Sequence, residues 1–122
     1  MRKDLAAMPI SAVETLRSIC LALPEAAEEP MRRGPSYRVR DKIFALERDH
    51  RDGPALWCKV PEGSQAVLVG ADPERFFVPP YFGPKGWIGM RLSDAPDWNE
   101  AGFLVRRSYR LIAPKRLAAL VP

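Results

Sequence analysis

Three strand-like runs in tandem constrain this chain more than any other feature. Residues 36–40, 43–48 and 55–60 alternate apolar and polar side chains, and only short polar connections separate them. A parallel pair needs a crossover of about a dozen residues or more, so runs this close must pair antiparallel. A fourth run, Trp87 to Leu92, follows a segment rich in proline and glycine. Helical patterns stand before and after the strands. That order predicts an α+β fold: a two-layer sandwich in which one antiparallel sheet carries helices on one face and leaves the other open.

The helices are marked by their caps. Ser11 and Glu14 have the spacing of a capping box, with Ile10 placed for a hydrophobic staple. Val13, Leu16, Ile19, Cys20 and Leu23 then recur at helical period, and Pro24 ends the run. Residues 25–35 read as a loop. Ser64 caps a short helix to Val69, and Asp72 caps a further turn with Pro73 in the favoured first position. Residues 76–78 read as a short strand. Asp97 and Glu100 form a second capping box, opening a helix that reaches about Ile112. A last short helix follows Pro114. Residues 1–10 read as a flexible tail and residues 11–122 as a single domain.

The strand phases assign faces. A turn at Asp41-Lys42 pairs Arg40 with Ile43 and turns Tyr37, Val39, Phe44 and Leu46 to the core. Arg38, Arg40, Ala45 and Glu47 then point outward. Residues 49–54 form a polar turn. Leu56, Cys58, Val60, Ile88, Met90 and Leu92 point inward; Trp57, Lys59, Trp87, Gly89 and Arg91 point outward.

With 122 residues, the chain is long enough for one domain with its own core. It contains no apolar run long enough to span a membrane, and its N-terminus lacks the apolar stretch of a signal peptide. A cytoplasmic, membrane-free protein is the expectation. Cys20 and Cys58 are far apart and flanked by apolar residues, which suits core positions rather than a zinc site. A net charge of +4 and a pI near 9.4 favour acidic partners, nucleic acid the commonest, though many ordinary domains are as basic.

The motifs TLRSICLALPEA, YRVRDKIFAL, ADPERFFVPPYFGPKGWIGMRL and RLIAPKRLAAL occur in this order over residues 15–120. In this combination the chain resembles the MmcQ/YjbR family, whose CyaY-like fold is similar to that of the bacterial frataxins. The resemblance implies an α+β domain with β-hairpins that project as a double wing, and DNA binding as the activity attached to that shape. Members often carry a histidine or threonine near the position of Pro79-Pro80, where this chain has a second proline.

The face assignment suggests how such binding would work. Arg38, Arg40, Lys59 and Arg91 would emerge on the open face with Trp57 and Trp87, extended by Lys42 at the hairpin tip and Lys85 in the proline-glycine loop. Cations would hold phosphates and indoles would stack on bases. The competing reading uses the same face as a protein-interaction surface, since exposed tryptophan and arginine are enriched there too. Arg106, Arg107 and Arg110 form a second basic group, expected to pair with Glu100 or with Glu25, Glu28 and Glu29. Those three glutamates are poor support for a hard-cation site in a basic chain.

Nothing in the sequence specifies catalysis or a cofactor. His50 stands alone in a polar turn, and a general base needs a partner and a pocket. Ser11 and Ser64 are explained as caps. No phosphate loop, nucleophile elbow or metal-protease motif occurs.

Overall fold

The computed structural model describes residues 11–50, 53–93 and 95–122, with only the backbone of His50. The expected tail and the staple residue Ile10 lie outside the described residues.

Helix α1 (Ala12–Leu21) starts where the Ser11 hydroxyl accepts the Glu14 amide proton at 3.1 Å. Its Leu16 and Cys20 are fully buried. The stretch expected to be a loop up to Pro35 contains a strand, β1 (Ala27–Glu29). Its Ala-Glu-Glu sequence has no strand propensity, which is why alternation missed it. It lies at the sheet edge, where charged side chains discourage pairing with another chain.

Strands β2 (Ser36–Val39) and β3 (Lys42–His50) form the first hairpin. Val39 pairs with Lys42, so the turn residues are Arg40 and Asp41, one position earlier than expected. Both have positive φ, 50° and 66°, as a two-residue turn matching strand twist requires. The next irregularity matters more. Tyr37 pairs with Ala45 and Arg38 with Ile43, so Phe44 is an extra residue in β3. Phe44 and Ala45 therefore both face the helices, and the phase beyond them is reversed. Leu46, expected in the core, lies on the opposite face. Ala45 and Glu47, expected outside, turn to the side of Cys58 and Leu56.

Strand β4 (Gly53–Lys59) continues the pairing to Asp49↔Pro54 and His50↔Gly53. The polar turn expected over residues 49–54 is thus mostly strand. Helix α2 (Ser64–Ala71) has Gly63, at φ +89°, in the cap position predicted for Ser64. The Ser64 amide instead donates to the Pro61 carbonyl. Strands β5 (Phe76–Phe77) and β6 (Trp87–Arg91) complete a six-stranded antiparallel sheet ordered β1-β2-β3-β4-β6-β5. Helix α3 (Trp98–Ile112) begins at Asp97, whose carboxylate accepts the Asn99 and Glu100 amides. Helix α4 (Lys115–Ala118) is the last helix among the described residues. Among the described residues no helix is long and apolar enough to cross a membrane.

The main core lies between the sheet and helices α1 and α3. Tyr37, Phe44, Leu56, Ile88 and Met90 meet Leu16, Cys20, Leu104, Val105 and Tyr109, all buried. Each such side chain contributes about 1.5–3 kcal/mol on burial. Phe44 and Tyr109 meet edge to face at 5.3 Å, and the Tyr109 hydroxyl donates to the Pro24 carbonyl at 2.7 Å. Ser108 joins the helix to the bulge: its hydroxyl donates to the Phe44 carbonyl at 2.7 Å and accepts the Lys59 amide at 2.9 Å. Both cysteines are buried, as expected; burial pushes the Cys58 thiol up to about 12, so it stays protonated and unreactive.

Candidate nucleic-acid interface

Residues that pair across antiparallel strands share a face. The row Leu46, Trp57, Gly89, Phe77 therefore runs across the side opposite the helices, with Lys59 and Trp87 forming the next pair on that side. The sequence-based orientation of Trp57, Lys59, Trp87 and Arg91 is correct, but the expected exposure of the indoles is not. Trp57 and Trp87 are only 6% and 5% exposed.

Their cover is a loop rather than a helix. Phe82 inserts between the two tryptophans, with centroids 6.0 Å from Trp57 and 4.7 Å from Trp87. Phe77 closes the other side of Trp57 at 6.5 Å. Gly89 makes room for it, because a Cβ there would clash with the Phe77 ring. The loop is fixed from both ends. The Gly83 backbone amide donates to the Pro79 carbonyl at 2.8 Å, and the Gln65 side-chain Nε2 donates to the Gly83 and Trp87 carbonyls at 2.9 and 2.7 Å. Leu46, Ala55, Trp57 and Trp87 thus make a second, smaller core outside the sheet, flanked by Ile43, Phe77 and Phe82. Neither indole presents a face for a base to stack on.

Cations sit on this aromatic layer. The Arg91 guanidinium lies 4.8 Å from the Phe77 centroid, the Lys85 ammonium 5.7 Å from Phe82, and the Arg48 guanidinium 5.6 Å from Trp57. Arg48, not singled out from the sequence, is largely buried and also donates to the Gly34 and Glu47 carbonyls. Burial lowers its pKa, and the neighbouring Glu47 opposes that effect. Arg38 is half-buried beside Ile43, with its Nε 3.2 Å from the Ser36 hydroxyl and 3.7 Å from a Glu29 oxygen. Lys59 reaches along the end of β4 to donate to the Lys85 carbonyl at 3.3 Å.

Two residues expected in the set lie elsewhere. Arg40 makes a forked pair with Glu25, at 2.6 and 3.2 Å, because its turn position aims it back at the end of α1. The hydrogen bond from Arg40 holds the Glu25 carboxyl below its usual range. Lys42 pairs with Val39, a residue of the helix-side core, and so sits on the other side of the hairpin. The three glutamates expected to meet the late helix each take a different arginine: Glu25 with Arg40, Glu28 with Arg17 and Glu29 with Arg38. In α3, Arg107 lies over Phe103 and Arg110 donates to the Pro122 carbonyl, while Glu100 pairs with Arg75.

A cleft of about 430 Å³ opens beside Lys59 and Lys85, at the end of β4. Val60, Pro61, Pro84 and Leu111 form its apolar walls, with Glu62 and Gly86 also lining it. The sequence reading missed it, because its residues come from three separated segments. Phe82 was missed too; an apolar ring among prolines and glycines was the available signal.

Six antiparallel strands, helices on one face and a loop-capped aromatic layer on the other define a two-layer α+β sandwich. The chain belongs to the YjbR family, whose model matches residues 21–111. Its fold is similar to that in the crystal structure of Deinococcus radiodurans protein DR2400, which carries a DUF419 domain. The TM-score is 0.76 at 24% identity, covering 94% of this chain and 92% of that one. None of the curated proteins compared matches this chain.

Proposed function

We propose that this protein binds nucleic acid without catalysing a reaction, through the side of the sheet away from the helices. Arg38, Lys59, Lys85 and Arg91 contact phosphates, while Trp57 and Trp87 act beneath them as a rigid support rather than as stacking platforms. The observation that carries this reading is the placement of Arg91 and Lys85 on aromatic rings of one rigid, loop-capped layer. Binding of this kind is dominated by counterion release and reads little sequence.

The test is a fluorescence-anisotropy titration with random-sequence DNA across a range of salt concentrations. Affinity should fall steeply with salt, and the triple variant Lys59→Gln/Lys85→Gln/Arg91→Gln should reduce the log–log slope on duplex by about 2.7, at about 0.9 per phosphate contact. Arg40→Gln, which breaks only the Glu25 pair, should leave the slope unchanged. No binding at low salt, or an unchanged slope in the triple variant, would remove the proposal. A protein contact on the same side that rests on apolar burial would show little salt response.

A further inference from the structure

The cleft beside Lys59 and Lys85 has a shape the phosphate contacts do not require. At about 430 Å³ it falls within the roughly 300–1,000 Å³ of small-molecule sites. Its walls are apolar, from Pro61, Pro84 and Leu111, and Leu111 is 44% exposed. Lys59 and Lys85, which also belong to the phosphate-contacting set, line it. Gly86, at φ +84°, lines it without a side chain. Glu62, an exposed residue of the lining, supplies an acceptor beside the two lysines.

From this combination we infer that the cleft receives one unstacked base of a single-stranded nucleic acid, whose flanking phosphates lie against Lys59 and Lys85. The inference rests on the nucleic-acid reading above and names its substrate class. A base in a duplex is stacked and paired and cannot enter; a base in a single strand can be splayed out and seated against an apolar wall. The Glu62 carboxylate accepts a hydrogen bond from an exocyclic amino group, so a base that carries one is favoured over thymine or uracil.

The experiment compares single-stranded and duplex DNA of one sequence by anisotropy, for the wild type and for Leu111→Lys. The substitution adds charge at a half-exposed helix position and removes an apolar wall. The wild type should bind the single strand more tightly. Leu111→Lys should weaken single-strand binding roughly tenfold, the order of one base's stacking contribution, and leave duplex binding equal or tighter. If charge alone governs binding, the added lysine tightens both forms, and the inference is overturned. Equal wild-type affinity for the two forms overturns it as well, while leaving the phosphate contacts standing. Failure to bind either form overturns the nucleic-acid reading and this inference together.

Discussion

The two sides of the sheet bury tryptophan-sized and phenylalanine-sized groups by different means. Toward the helices, Phe44, Leu56 and Met90 are sealed by α1 and α3, which lay Leu16, Cys20, Leu104 and Val105 over them. Away from them, Trp57 and Trp87 are sealed by one loop, one inserted ring at Phe82, and cations lying on aromatic faces. The first cover is cooperative with the whole fold. The second depends on a few residues between Pro79 and Gly86. A protein can therefore keep a stable frame on one side and present a rigid charged surface on the other, with little energetic traffic between them.

That division can be broken most forcefully at Phe44. Phe44→Ala removes the edge-to-face contact with Tyr109 and leaves a cavity under α3, at a cost of about 3–5 kcal/mol. Urea unfolding should show the loss, and in a Trp98→Phe background, which removes the tryptophan packed on the helix-side core, native emission should shift little, because Trp57 and Trp87 are on the other side. Phe82→Ala should do the reverse. It should cost less, about 1–2 kcal/mol, yet move the native emission to the red as water reaches Trp57 and Trp87. If Phe44→Ala also exposes the indoles, the two sides are one core and the comparison fails.

The smallest effect concerns pH. Burial raises the Glu47 pKa, Asp49 adds to the shift and Arg48 opposes it. Folding thus favours the protonated carboxyl. That contribution is complete below the unfolded value of about 4.3 and is lost as pH rises through the higher folded value. Glu47→Gln should melt about 1–3 °C above the wild type at neutral pH, and the difference should close as the pH approaches about 4. A constant difference across that range would mean the charge is not the cause.

Much of the frame was legible in the residues. Alternation oriented β4 and β6 correctly, caps placed α1 and α3, and the flanks of Cys20 and Cys58 marked core positions. Errors came where geometry is decided across strands rather than along them. Nothing in the run Lys42–Arg48 announces that Phe44 is an extra residue, since the bulge is defined by its partner strand. The resulting half-turn sent Leu46 to the wrong side in the sequence reading. Edge strand β1 was hidden by its glutamates. The indole orientation was readable from the period of two, but their burial was not, because the cover comes from a loop whose path no local pattern encodes. Arg40 was misplaced for a similar reason: the turn lies one residue earlier, so its side chain meets Glu25.

The Ser108 hydroxyl is an index pin for this arrangement. A β-strand has two sides that trade places when its alignment slips by one position. An unpaired residue in β3 makes such slippage easy to imagine, because the strand already accommodates one miscount. By grasping the Phe44 carbonyl and the Lys59 amide at once, a single oxygen on α3 measures the distance between two strands and accepts only one count. Which of the sheet's sides is greasy interior and which is charged exterior is thereby settled from the layer above it.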